Sequence, residues 1–234
     1  TCCHTFQTAS NNDNGNRIMA QTALNIVILA AGKGTRMYSK MPKVLHRIGG
    51  QTMLERVIDT SQSLSPQSIN VVIGHGKEQV REQVQREGIR WVEQTEQLGT
   101  GHAVQTALPH LGNTGRTLVL YGDVPLINRA TLEELLQAAG NEIGLLTDIP
   151  PNPFGLGRII REANGQVAAI VEEKDATPEQ KAIRETNTGI FVLPNAHLAS
   201  WLGSLSSNNA QGEYYLTDVI ALAHADGVAV HPVQ

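Results

Sequence analysis

Glycines and cations crowd into one short stretch of this 234-residue chain. Leu29-Ala30-Ala31-Gly32-Lys33-Gly34-Thr35-Arg36-Met37 is followed closely by Pro42-Lys43. Glycine has no Cβ, so such a loop can bring backbone N–H groups against phosphate oxygens. Lys33, Arg36 and Lys43 place positive charge in a chain whose net charge is −4. The chemistry suggested is the binding of a nucleoside triphosphate. A dinucleotide turn of the Gly-x-Gly-x-x-Gly type fails at its third glycine, where Met37 stands. Its acidic partner is expected about 20 residues on at a strand end, but Glu55 and Asp59 fall in a helical pattern. No Gly-x-x-x-x-Gly-Lys-Ser/Thr run exists, which excludes a P-loop. An ordinary βα turn with surface charges is the plain alternative.

Three further segments could complete such a site. Gln94-Thr95-Glu96-Gln97-Leu98-Gly99-Thr100-Gly101-His102 links a short strand to a helix. The amides of Gln94 and Gln97 carry paired donors and acceptors that can read a base edge. Gly99 and Gly101 allow close backbone approach. Thr100 is placed to cap the next helix, a role that would by itself explain the residue, and His102 reads as a packed side chain rather than a catalyst. Tyr121-Gly122-Asp123-Val124-Pro125 sets an aspartate just beyond a buried strand. One carboxylate there suits Mg²⁺, which takes few protein ligands and keeps phosphate oxygens and waters. A turn or cap role is the bland alternative for Asp123. Later come Gly157-Arg158, Glu172-Glu173, Asn187-Thr188-Gly189 and Gly212 to Asp218, rich in the carboxylates and amides that bind sugar hydroxyls.

The elements that must carry these residues are legible as hydrophobic periodicity. Asn25–Ala30, Ile69–Ile73, Trp91-Val92, Thr117–Tyr121 and Ile143–Thr147 read as strands. Met53 to Leu64, Glu78–Arg86, Ala103–Leu108 and Leu132–Ala139 read as helices between them. This order predicts an α/β fold, a mostly parallel sheet with helices on both faces. Right-handed crossovers then put the loops after the strands along one edge, where ligands bind. Pro150, Pro151 and Pro153 break the pattern. Arg158–Arg161 and Val167–Val171, with Asn164-Gly165 between them, predict a hairpin. Ile190–Leu193 follows as a strand. Two helices are expected, around Leu198, Leu202 and Leu205 and around Leu216, Val219, Ile220 and Leu222. This part reads as a smaller, partly antiparallel region packed on the same sheet.

Apolar residues make up 41% and charged residues 17%, as in a globular protein. The acidic balance argues against a nucleic-acid partner. No apolar run approaches the roughly 18 residues of a membrane span, so no membrane partner is expected. Both cysteines, Cys2 and Cys3, precede the folded body, which suits a reducing compartment; a cytoplasmic location is the default. Residues 1–22 are polar and aperiodic and read as a disordered extension, with Met19 a candidate natural start. Residues 23–234 read as one domain.

Taken in order, these segments resemble the sugar-1-phosphate nucleotidyltransferases. More narrowly, they are similar to the uridylyltransferase domain of the bacterial bifunctional UDP-N-acetylglucosamine pyrophosphorylase/glucosamine-1-phosphate acetyltransferases. The likeness rests on Leu29–Met37, Pro42–His46, Glu96–Ala103, Leu120–Leu126, Val171-Glu172, Lys174-Asp175-Ala176, Asn187–Gly189 and Asn209–Tyr215. It implies a Rossmann-like nucleotide-diphospho-sugar transferase fold with a smaller sugar-binding region. It also implies transfer of uridylyl from UTP to N-acetylglucosamine 1-phosphate, giving UDP-N-acetylglucosamine and pyrophosphate for cell-wall precursor synthesis. By resemblance, Leu29, Ala30, Ala31 and Gly32 hold the nucleotide. Gln94, Gly99 and Thr100 read uracil with help from Gln97, Arg36 and Lys43 act on the phosphates, and Asp123 binds Mg²⁺. Tyr121, Gly122, Gly157, Glu172, Asn187 and Thr217 surround the sugar and ribose. In the family a second Mg²⁺ ligand, in an Asn-Asn-Arg segment, follows the last strand. The sequence stops at Gln234, before that segment and before the β-helix domain through which full-length members acetylate and form trimers. A C-terminally incomplete transferase is therefore expected. Another sugar or nucleotide, or a fragment that binds UDP-sugar without turnover, are the alternatives.

Overall fold

The computed structural model describes residues 23–32, 34, 39 and 41–234. The extension read at residues 1–22, and Lys33 and Arg36 of the cationic loop, lie outside the described residues. A mixed sheet forms the centre. β1 (Leu24–Leu29) is flanked by β4 (Ser68–Ile73) and β6 (Arg116–Tyr121), both parallel to it. β5 (Ile89–Glu93) adds to β4 in parallel. On the other side β10 (Thr186–Pro194) runs antiparallel to β6 and to β7 (Ile143–Asp148), and β11 (Val230–Val233) closes the edge parallel to β7. β8 (Arg158–Arg161) and β9 (Val167–Val171) form the expected hairpin, joined to β10 at Thr186 and Arg158. The short β2 (Arg47–Ile48) and β3 (Gln51–Thr52) pair outside the main sheet.

Side chains alternate across a strand, so β1 feeds two cores. Val27 and Leu29 face one cluster, with α3 (Thr100–Ala107), α6 (Asn195–Gly203) and α7 (Val219–Ala225) packed over it. Ile26 and Ile28 face the other, covered by α1 (Met53–Ser63), α2 (Lys77–Gln83) and α4 (Arg129–Ala139). Burying each such aliphatic side chain stabilises by about 1.5–3 kcal/mol. Both faces being covered explains why the strands read as unbroken apolar runs. α1 starts where it does because Thr52 accepts from Glu55 N while the Glu55 carboxylate accepts from Thr52 N, a reciprocal cap.

Several elements depart from the periodicity, among them β2, β3 and β11, which it does not show, and α3, which starts at Thr100 rather than Ala103. α2 ends at Gln83 rather than Arg86, because Val84 turns extended and Arg86 leaves to pair with Asp59 and Glu55 of α1. The last helical pattern divides into a tight turn at Leu216–Asp218 and α7. A four-residue helix, α5 (Pro178–Lys181), stands in the segment before β10 and has its own Thr177 cap. No helix among the described residues is long and apolar enough to cross a membrane.

Candidate active site

The carboxyl ends of β1, β5 and β6 open onto one cleft of about 650 Å³. That size lies within the roughly 300–1,000 Å³ usual for small-molecule sites. Its walls carry Leu29, Ala30, Ala31 and Gly32 from the end of β1, Gln94 and Gln97 after β5, and Tyr121 and Asp123 after β6. Lys43 closes one side, and Gly99 and Thr100 present the N-terminus of α3. Ala30 N continues the ladder by donating to Val72 O, but no described acceptor takes the N–H of Ala31 or Gly32. Those donors, beside a lysine, are what a phosphate chain requires. Arg36, expected here, lies outside the described residues.

Gln94 is 4% exposed and is fixed by its own amide nitrogen. Nε2 donates to Gly99 O at 3.1 Å and lies 3.0 Å from His102 Nδ1. His102 therefore orients the glutamine, in keeping with its reading as a packed group. Gly99 has φ +115° and lies against residues 209–215, a strap that leads through the turn Leu216–Asp218 into α7. A Cβ there would stand 2.6 Å from Tyr214 O and 2.8 Å from Tyr214 N. Thr100 does not cap α3: Gly99 holds the cap position with no side-chain bond. Its Oγ1 instead accepts from Leu216 N at 3.0 Å, because the strap brings an unpaired backbone donor within reach.

Asp123 Oδ2 lies 2.6 Å from Lys43 Nζ, an ion pair across the cleft with both side chains partly exposed. The second Asp123 oxygen has no partner among the described residues. No group of three or more His, Cys, Asp or Glu is clustered to hold a metal among them. A single carboxylate with a free oxygen at a phosphate-sized cleft fits Mg²⁺, whose remaining ligands are phosphate oxygens and waters. Gly122 is not on the wall. It is buried behind the floor, its N–H donating to Leu29 O at 2.9 Å.

A second pocket of about 240 Å³ adjoins the cleft, and the two share Thr100, Tyr121 and Glu213. Gly157 just before β8, Glu172 just after β9, Asn187 of β10 and Thr217 of the turn Leu216–Asp218 line it together. Thr217 Oγ1 donates to Glu172 Oε1 at 3.1 Å. Burial pushes the Glu172 carboxyl above the usual carboxylate range; the Thr217 hydroxyl opposes this, and Asp218 and Asp175 add to it. Burial, with the charges of Glu172 and Asp123, also keeps the Tyr121 phenol protonated. Asn187 pairs with Thr147 of β7 just before a register shift in β10. Its Oδ1 accepts from Gly189 N at 2.8 Å. Gly189, at φ +85°, leaves room for the Tyr121 ring; a Cβ would be 2.5 Å from Cε2.

Sequence reasoning gave Glu213 and Arg158 no role of their own. Glu213 lines both pockets. Arg158, 2% exposed, donates to the carbonyls of Ile183 (3.0 Å), Lys181 (3.4 Å) and Leu156. It also lies 2.8 Å from Glu173 Oε2, a charge contact outside good hydrogen-bond alignment. Its guanidinium thus ties the loop before Gly157 to the turn after Glu172. Its position next to Gly157 in the sequence was the available signal.

A family of MobA-like NTP transferase domains matches residues 26–188. The bifunctional protein GlmU of Neisseria meningitidis serogroup A is 74% identical over 216 residues, 92% of this chain and 47% of that protein. The bifunctional protein GlmU of Chromobacterium violaceum is 61% identical over 208 residues, 89% of this chain and 46% of that one. The chain thus spans about half the length of the relatives it matches. Among solved structures, a putative glucose-1-phosphate thymidylyltransferase from Bacillus anthracis, in complex with a sucrose, superposes with a TM-score of 0.72 at 21% identity. That match covers 91% of this chain and 87% of the other, and shows the shared nucleotidyltransferase fold. With most of β1, of the cleft and of the second pocket inside the matched span, the chain belongs to the MobA-like NTP transferase domain family.

Proposed function

We propose that the chain transfers the uridylyl group of UTP to N-acetylglucosamine 1-phosphate, forming UDP-N-acetylglucosamine and pyrophosphate. The observation that carries this reading is the pair of adjoining pockets sharing Thr100, Tyr121 and Glu213. One has the donors and cation suited to a triphosphate, and the other has the carboxylate, amide and hydroxyl suited to a sugar. The relationship to GlmU proteins supports it.

Both amide hydrogens of Gln94 are directed at Gly99 O and His102 Nδ1, which leaves its Oε1 for the nucleotide. A carbonyl oxygen there accepts from the N3–H of uracil, whereas cytosine offers an acceptor at the same place. The N–H groups of Ala31 and Gly32, with Lys43 and Arg36, bind and offset the triphosphate charge. Glu172, Asn187 and Thr217 hold the sugar and aim its phosphate. That phosphate oxygen is already an anion, so no side chain has to activate it. The new bond forms from it to the α-phosphorus, and the bond to the β-phosphate oxygen breaks in line, pyrophosphate leaving with the electron pair. Mg²⁺ held by Asp123 would supply further neutralisation of the two polyanions.

A panel of UTP, TTP, CTP and GTP against N-acetylglucosamine 1-phosphate and glucose 1-phosphate, read as pyrophosphate release, tests the reading. UTP with N-acetylglucosamine 1-phosphate is expected to be the fastest pair. A faster rate with TTP or with glucose 1-phosphate overturns the substrate assignment.

A further inference from the structure

Lys174-Asp175-Ala176 lines neither pocket, yet it meets a strap of the chain that lines both. Lys174-Asp175-Ala176 follows Glu172, and Asp175 N donates to Glu172 O at 3.0 Å in a tight turn. Residues 209–215 form a strap that is folded on itself: Asn209 Nδ2 donates to Glu213 O at 2.6 Å, and Asn209 Oδ1 faces Gln211 N and Glu213 N, each at 3.2 Å. One end of the strap is tied to the nucleotide cleft. Tyr214 N donates to Leu98 O and Gly101 N to Tyr214 O, both at 2.8 Å. Leu216 N donates to Thr100 Oγ1. Along its length the strap also borders the smaller pocket, where Gln211, Glu213 and Tyr215 form one wall.

On that side the strap is held by Asp175. Its Oδ1 accepts from Ala210 N at 2.8 Å, and its Oδ2 accepts from the Tyr215 hydroxyl at 3.3 Å. One carboxylate therefore grips the strap at two points five residues apart, and it does so from the turn that presents Glu172. Lys174 Nζ adds a bond to Gln211 Oε1 at 2.7 Å. Asp175 itself lines neither pocket. We propose that Asp175 is a positioning residue of the sugar subsite, latching the strap 209–215 to the Glu172 turn so that both walls of the smaller pocket hold their spacing. Without it the strap stays anchored at Leu98, Thr100 and Gly101, so the nucleotide cleft keeps its shape and only the sugar side loosens.

This rests on the sugar reading of the smaller pocket, and the experiment separates the two. Affinities for UTP and for UDP-N-acetylglucosamine are measured by calorimetry on the parent chain, Asp175→Ala and Asp175→Asn. Two lost hydrogen bonds, each shifting an equilibrium by a few-fold to about tenfold, set the scale. Asp175→Ala is expected to bind UDP-N-acetylglucosamine about tenfold more weakly and UTP within about twofold of the parent. Asp175→Asn keeps an acceptor for Ala210 N and is expected to recover most of the loss. Equal affinities in parent and Asp175→Ala overturn the latch and leave the sugar reading standing, as does an equal fall for both ligands. A parent that binds UTP without UDP-N-acetylglucosamine overturns the sugar reading and the latch with it.

Discussion

Gly99→Ala places a single methyl group where the base-reading loop and the strap touch. The new Cβ would stand 2.6 Å from Tyr214 O, 2.8 Å from Tyr214 N and 3.0 Å from Glu213 Cβ. Two of these neighbours are backbone atoms and cannot swing away. The residue also has φ +115°, outside the conformations an alanine readily adopts. Strained backbone costs about 1–3 kcal/mol, and an overpacked methyl costs about 1–3 kcal/mol more. Relief by moving the strap gives up the bonds Tyr214 makes to Leu98 and Gly101, each worth about 1 kcal/mol. The expected destabilisation is thus about 2–6 kcal/mol, toward the low end if the strap yields. Gly99 O also fixes Gln94, so UTP binding should weaken together with stability. Urea denaturation and UTP titration of the same variant check both effects. A change under about 0.5 kcal/mol, the size of an ordinary surface substitution, with unaltered UTP affinity would refute the packing argument.

Three other variants probe separate parts of the site. Asp123→Ala should lower pyrophosphate release at least about 10²-fold. Its melting temperature should barely move, because the partly exposed pair with Lys43 contributes only about 0–1 kcal/mol; steady-state kinetics and a thermal melt check this. Arg158→Met leaves three carbonyls without their donor, and denaturant titration should show a loss of about 1–3 kcal/mol. Glu172 is charged at a higher pH in the folded chain than in the unfolded one, so its ionisation opposes folding. That penalty is absent below the ordinary carboxyl pKa of about 4.3, grows as pH rises, and is complete above the raised folded value. Glu172→Gln should therefore melt higher than the parent near neutral pH, with the advantage vanishing at about pH 3.5. It should also bind UDP-N-acetylglucosamine less tightly.

The residues around the cleft were legible where local pattern decides their place. β1 is an apolar run ending in glycines, and Asp123 follows another such run, so their arrival at one sheet edge follows from parallel pairing. The hairpin β8–β9 announced itself through Asn164-Gly165. Other features depend on contacts remote in sequence. Nothing in Ile190–Leu193 shows that β10 inserts antiparallel between β6 and β7. Thr100 reads as a cap because the eye sees only the helix after it, while its partner is Leu216 N, 116 residues away. Asp175 and Tyr215 are 40 residues apart and meet only through the strap. The early end of α2 likewise follows from Arg86 finding Glu55 and Asp59 on a different helix. Gly122, read among the binding residues from its neighbours, has its N–H bonded to Leu29 O behind the floor, a partner 93 residues away in sequence.

The most direct measurement is the fate of α-phosphate label when the chain is incubated with labelled UTP, Mg²⁺ and N-acetylglucosamine 1-phosphate. Label should appear in UDP-N-acetylglucosamine, matched mole for mole by pyrophosphate, and only when the sugar phosphate is present. Label that stays in UTP, pyrophosphate released without the sugar phosphate, or label fixed on the protein would contradict direct transfer between the two pockets.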